Sequence, residues 1–160
     1  MFTNFENMHQ SISKVCFFFQ DVKINLKRRT RLKKFIESIF KKEHKKLEFI
    51  NYIFCTDNAL LEINKKFLKH DFYTDIITFD LSDSESIQAE VYISVDRIRD
   101  NAKKLGLALH SELHRVIFHG ALHLCGYQDK TKREKANMRE KEGFYLKQLL
   151  KSFSRDTVSC

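Results

Sequence analysis

Apolar residues recur along this chain with two different periods in a fixed order, and that order constrains the fold more than any other feature of the sequence. Residues 15–22 (VCFFFQDV) form a short run of β-branched and aromatic residues, as a strand does. Over 26–43 the pattern changes. Leu32, Phe35, Ile36, Ile39 and Phe40 recur at helical spacing, while Lys33, Lys34, Lys41 and Lys42 point elsewhere, which predicts an amphipathic helix. Residues 47–55 (LEFINYIFC) return to strand composition without clean alternation, as expected of a strand covered on both faces. Asp57 is placed to cap a helix running to about 68. Two further strands follow, 74–80 (TDIITFD) and 89–95 (AEVYISV), joined by the polar link LSDSESIQ, which reads as a surface loop. Asp96 is placed to cap a helix that stops near Gly106, residues 110–125 form a strongly apolar helix ending before Gly126, and a charged amphipathic helix over roughly 132–151 closes the chain. The order β-α-β-α-β-β-α-α-α predicts an α+β fold, a single domain with one mixed sheet of about four strands packed against helices. The 160 residues leave room for one such domain, with 1–12 and 152–160 reading as loose tails.

Composition removes several classes. A hydrophobic fraction of 42% with 15 Phe supplies a core and excludes intrinsic disorder. No apolar run approaches the roughly 18 residues of a membrane span. The N-terminus (MFTNFENMHQSISK) lacks a basic start followed by an apolar block, so it does not read as a secretory signal. Cys16, Cys55, Cys125 and Cys160 are scattered without CxxC spacing, which points away from a disulfide framework and towards a reducing cytoplasm. Cys125 is read as a buried apolar thiol, Cys16 and Cys55 as strand core, and none as a nucleophile.

The net charge of +8 is concentrated. Residues 23–46 carry eleven Lys/Arg against Glu37 and Glu43, a net of +9, so the rest of the chain is close to neutral. Residues 130–151 carry eight Lys/Arg against three Glu, whereas 70–100 carry eight acids against Arg97 and Arg99. Clustered cations gain affinity for polyanions by releasing counterions, so a nucleic-acid partner fits this distribution better than an anionic membrane surface. A merely solvated helix face remains the other reading of any single lysine.

The segment 119–129, HGALHLCGYQD, carries the chemistry. His119 and His123 lie one turn apart on the same helical face, a spacing that lets two imidazoles reach one metal ion. Gly126 follows where a helix needs a residue tolerant of the left-handed conformation, so the chain can double back and bring Asp129 towards the two rings. Two His and one carboxylate leave a position open for water, the catalytic form of a zinc site. His110 and His114 share the spacing but lie nearly opposite, with no glycine turn or third ligand behind them, and read as a wet helix start. Glu112 and Arg115 lie on the His119/His123 face and read as a site wall.

HGALHLCGYQD resembles the HGxLHLxGYDH signature of the YbeY endoribonucleases, single-strand-specific metal-dependent RNases tied to ribosomal RNA maturation and ribosome quality control. TDIITF (74–79) is similar to the family's TDVLSF, AEVYIS (89–94) to its GDIxIS strand, and Met138 and Glu142 fall where its trailing MxxxE lies. The resemblance covers about residues 60–142. It implies one Zn2+ per chain on His119, His123 and Asp129, single-stranded RNA as substrate (the 3′ end of 16S rRNA), the ribosome or its small subunit as partner, and neither a membrane nor a small-molecule cofactor. Two departures matter. Asp129 stands where the family has its third histidine, with Gln128 in place of its aspartate, and Leu68, beside Lys69 and His70, stands where it has an arginine before the TDVLSF strand.

The mechanism this implies is attack of metal-activated water on a phosphodiester in a strand held against the basic helix, with Lys27, Arg28, Arg29, Lys33 and Lys34 holding the backbone. Asp75 reads either as a helper that orients a ligand or a substrate hydroxyl, or as a strand-start residue. Two other classes stand beside this one. A non-catalytic ribosome- or RNA-binding protein would carry the same basic surface and a metal site. A metzincin-like metalloprotease shares the His-x3-His-x2-Gly frame, but needs a Glu directly after the first His, where this chain has Gly120.

Overall fold

Strands and helices alternate along the computed structural model, which describes residues 13–155, in the order the periodicity predicts. They are β1 (Val15–Phe19), α1 (Arg29–Lys42), β2 (Lys46–Cys55), α2 (Asp57–Ile63), β3 (Ile76–Asp80), β4 (Ser86–Ser94), α3 (Val95–Leu105), α4 (Leu109–Leu124) and α5 (Lys132–Ser154). A π-helical turn over Asn64–Leu68 continues α2 and ends at Lys69 in the left-handed region. The four strands form one mixed α+β sheet in the order β1-β2-β4-β3, with β1, β2 and β4 parallel and β3 antiparallel to β4.

The apolar stripe of α1 (Leu32, Phe35, Ile36, Ile39, Phe40) packs with Val116, Ile117, Phe118 and Leu122 of α4 against the inward residues Ile50, Tyr52, Phe54, Val91 and Ile93. The Tyr52 hydroxyl donates to the Ile117 carbonyl (3.0 Å), tying sheet to helix inside the core. Cys55, Leu60 and Ile77 form a smaller cluster with Ile63, Phe79 and Tyr92. β2 is covered on both faces, as expected, but unequally. Ile50, Tyr52 and Phe54 are fully buried while the intervening Asn51 and Ile53 are only half-buried, because α2 covers little of the second face.

Local capping also differs. Thr56 and Ser94, whose backbones are extended, cap α2 and α3, accepting from the Ala59 and Arg97 amides. Asp57 and Asp96 already lie inside the helices, and each serves the other helix. The Asp57 amide donates to Asp96 Oδ2 (2.8 Å), and Arg97 Nε donates to the Asp57 carboxylate (3.0 and 3.1 Å). Part of the polar link, from Ser86, belongs to β4, and α1 starts only after Arg28 in the left-handed region. α5 runs to Ser154 with Phe153 against the core, so it takes up the start of the expected 152–160 tail; 156–160 and 1–12 lie outside the described residues. Among the described residues no helix is long and apolar enough to cross a membrane.

Candidate metal centre

Gly120 decides where α4 sits. A Cβ at this position would lie 3.0 Å from Ile76 Cδ1 and 3.1 Å from Val91 Cγ1, so the helix approaches β3 and β4 more closely than a side chain fits without its neighbours shifting. His119 and His123, flanking that contact, come to the edge of β3. The same packing closes the position after His119 to a metzincin-type glutamate.

The helix then ends in a Schellman motif. Gly126 has φ 104°, its amide donates to the His123 carbonyl (3.0 Å), and the Tyr127 amide donates to the Leu122 carbonyl (3.0 Å). A capping box between Thr131 and Glu134 starts α5, so Asp129 is held in a tight connection between two fixed helix ends. The connection folds back on α4, and Asp129 Oδ2 lies 3.4 Å from His119 Nε2 and 3.3 Å from His123 Nε2.

The other ring nitrogens determine what these atoms are. His123 Nδ1 lies 2.8 Å from the Tyr127 carbonyl oxygen, which can only accept, so Nδ1 carries the hydrogen. His119 Nδ1 lies 2.6 Å from Glu142 Oε1, again an acceptor. In the neutral rings both Nε2 atoms are then bare lone pairs, 2.9 Å apart and facing the Asp129 carboxylate. Three acceptors converging on one point repel one another unless a cation lies between them. The two nitrogen–carboxylate separations, 3.4 and 3.3 Å, match those of ligands at about 2.0–2.1 Å from a tetrahedral ion, which sit about 3.3–3.4 Å apart, while the two nitrogens lie closer than that. His119, His123 and Asp129 are the group among the described residues whose ligand atoms gather in this way, within 4.8 Å of one another.

Charges behind the ligands are tightly coupled. The Arg115 guanidinium donates to Glu112 (2.7 and 2.9 Å) and Glu142 (3.3 and 3.4 Å) and approaches Asp75 at 3.9 Å. Glu112 and Glu142 are buried, and the Glu112 bond foremost raises the Arg115 pKa further despite burial. Arg115 lines one of the cavities at the site, whereas Glu112 is fully buried behind it, and Glu142, which orients His119, was visible in the sequence only as part of a trailing motif with no assigned role. Behind His123, the Tyr127 hydroxyl donates to Glu43 (2.8 Å), which also accepts from Lys141 (3.0 Å) and Tyr145. Burial opposes ionisation of Glu43, but the bonds from Tyr145, Tyr127 and Lys141 outweigh it and hold the carboxyl below its ordinary range.

Two cavities of about 650 and 730 Å³ meet at His119 and Asp129. Asp75 lines the second, with its carboxylate near Asn101 (3.4 Å) and its carbonyl accepting from the Ser94 amide (2.9 Å), so it is both a site-facing and a strand-start residue. Leu68 and His70 line the same cavity. The cations of α1 and of the turn before it line neither. Arg29 stacks over Phe19 (4.7 Å), Lys33 over Phe17 (5.7 Å) and Arg28 over Phe153 (4.7 Å), while Lys27 and Arg28 border one separate cavity and Lys34 another. His114 is not a wet helix start. It is buried, stacks on Phe118, and burial, with His110 beside it, lowers its pKa to about 4. Cys125 is buried with its thiol pushed up to about 12 by desolvation, and Cys16, Cys55 and Cys125 are free thiols.

Paired imidazoles and a returning carboxylate, at the edge of a mixed sheet and open to two cavities, make the frame of a hydrolytic enzyme. The model of the family Endoribonuclease YbeY matches residues 17–150. A relative named Endoribonuclease YbeY from Cytophaga hutchinsonii is 46% identical over 129 residues, covering 80% of this chain and 90% of its own. Another of that name, from Karelsulcia muelleri, is 39% identical over 85% of this chain and 96% of its own. The solution structure of TM1509 from Thermotoga maritima superposes with a TM-score of 0.60 at 27% identity, covering 89% of this chain and 93% of that one. The chain belongs to the YbeY endoribonuclease family, whose class is that of hydrolases acting on RNA.

Proposed function

We propose that this protein is a zinc-dependent endoribonuclease that cuts single-stranded RNA, acts on ribosomal RNA at the 3′ end of the 16S species within or beside the small subunit, and works in the cytoplasm. The observation that carries the reading is the convergence of His119 Nε2, His123 Nε2 and Asp129 Oδ2, with both Nδ1 atoms already committed. Two nitrogens and one carboxylate oxygen are a donor set suited to zinc, with a fourth position open. A divalent ion held there supplies Lewis acidity towards water and a phosphodiester oxygen.

The chain's own residues do the rest. Glu142 and the Tyr127 carbonyl hold the two rings in the tautomer that presents Nε2. Arg115 spends its charge on Glu112 and Glu142, so it buttresses Glu142 rather than binding phosphate. Asp75 faces the cavity as a helper that orients a substrate hydroxyl. The cations of α1 and of the turn before it, Lys27, Arg28, Arg29, Lys33 and Lys34, offer flanking RNA a phosphate surface away from the centre.

Zinc-loaded protein and His123→Ala, prepared identically, should be compared on a single-stranded 16S 3′ segment, with bound metal measured by mass spectrometry. Cleavage by the wild type alone, with about one zinc per chain, supports the reading. Equal cleavage by both shows that the cutting does not come from this centre, and a wild type that holds zinc, binds RNA and leaves it intact both free and in small subunits overturns the reading in favour of a non-catalytic RNA-binding protein.

A further inference from the structure

The two cavities that meet at the metal ligands differ in chemistry, and the difference assigns a path to the substrate. On the α5 side, Lys135, Met138, Arg139, Glu142, Gly143 and Leu146 present one helical face to the cavity, opposite Leu105. Lys135 and Arg139 lie one turn apart on that face. Both are exposed, and neither side chain has an ion-pair partner among the described residues, unlike Arg115 nearby. Lys130, beside Asp129, adds a third cation at the mouth of the other cavity.

That other cavity is less suited to phosphate. Asp75, Asp80 and Asp129 line it against the single cation Lys130 at its mouth, and Leu68 adds none. It offers an aromatic surface instead. Phe72 is 57% exposed and stacks on His70 at 5.1 Å between centroids and 22° between planes. The surface is held in place from behind. The π-helical turn buries Asn64, whose side chain donates to the Phe72 carbonyl (2.9 Å), and Arg97 stacks on the neighbouring Tyr73 (4.8 Å). An anchored, solvent-facing aromatic beside two carboxylates accepts a neutral planar ring and rejects a phosphate.

We infer that a single RNA strand crosses the metal centre from one cavity to the other, with a base stacked on Phe72 on the β3 side and backbone phosphates held by Lys135 and Arg139 on the α5 side. The inference rests on the endoribonuclease reading above and adds to it the residues that bind the strand. The path runs along α5 and the loop before β3, not along the basic face of α1. A duplex cannot follow it, because its bases are stacked on one another and unavailable to Phe72.

The test is equilibrium binding of a short fluorescein-labelled single-stranded RNA to the full-length zinc-loaded protein, with gel analysis to confirm that the probe stays intact. Lys135→Ala/Arg139→Ala should weaken binding and reduce the slope of log affinity against log salt by about 1.4, since each contact to a single strand contributes about 0.7. Phe72→Ala should weaken binding roughly tenfold with no change in slope, and should lose nothing on an abasic oligonucleotide. All three positions are exposed, so the variants fold. Wild-type affinity and slope in the double variant, or equal loss on the abasic probe in Phe72→Ala, overturns the inference. So does a loss confined to Lys33→Ala/Lys34→Ala, which would put the strand on α1. A wild type that binds as described without cutting leaves this path standing and removes the endoribonuclease reading. One that cuts while these variants bind normally removes the path alone.

Discussion

Glu142 Oε1 stands 2.6 Å from His119 Nδ1, although 23 residues separate the two in the chain. The carboxylate fixes the ring orientation and raises the electron density at Nε2, as the outer partners of ligating histidines do. Glu142→Gln keeps the shape but removes the charge shared by His119 and Arg115. It should weaken zinc binding by about 10- to 100-fold in a chelator competition, since outer partners carry effects of that size. Unchanged affinity would show that His119 is oriented without it.

Two glycines on neighbouring helices should respond to alanine with opposite signs. At Gly120 the added methyl meets Ile76 and Val91 at 3.0 and 3.1 Å, and overpacking of that kind costs about 1–3 kcal/mol, more than the gain of up to about 1 kcal/mol from helix propensity. At Gly143, inside α5, nothing lies within 4 Å, so the propensity gain of about 1 kcal/mol stands alone. Thermal melts should place Gly120→Ala below and Gly143→Ala above the wild type. A destabilised Gly143→Ala would mean that the helix is strained there.

His114 makes the protein acid-sensitive. Its folded pKa of about 4 lies below the ordinary 6.5, so between these values the unfolded chain binds a proton that the folded one refuses. Its contribution is complete above pH 6.5 and is lost as pH falls towards 4, by at most about 3 kcal/mol. Urea titrations across that window should show a shallower pH slope in His114→Leu than in the wild type; parallel slopes would exclude His114 as the source.

Glu43 acts in the same direction for a different reason, since the fold favours its charged form and disfavours that of His114. Its carboxyl is held below 4.5, so its stabilisation is present above the ordinary carboxylate range and lost as pH falls through the folded value. Glu43→Ala leaves the Tyr127, Tyr145 and Lys141 donors without their acceptor and should cost about 2–3 kcal/mol at neutral pH. Tyr127→Phe should cost about 1 kcal/mol while leaving zinc affinity intact, because His123 is held by the backbone carbonyl. Zinc loss in Tyr127→Phe would show that the hydroxyl positions the loop.

Features that depend on neighbours in the chain were legible before the fold. The turn between His119 and His123, the left-handed Gly126, the return of Asp129 and the order of strands and helices follow from spacing alone. The caps were misread by one or two residues, at Asp57 for Thr56 and at Asp96 for Ser94. Capping requires an extended backbone just outside the helix, and four polar residues in range offered equivalent side chains.

By itself, then, the sequence determined the element order and the family, and it singled out the three side chains that the fold brings together. Tertiary structure alone decided that Glu142 and the Tyr127 carbonyl aim the rings, that Gly120 brings α4 onto β3, and that His114 is buried. It also put Lys135 and Arg139, not the denser cations of α1, on the cavity beside the ligands. The reason is physical. Helical spacing and turn chemistry act within a few residues and leave a periodic trace, whereas a contact between α4 and α5 depends on how two apolar faces dock, and charge density along the chain carries no information about which face a cleft will open on.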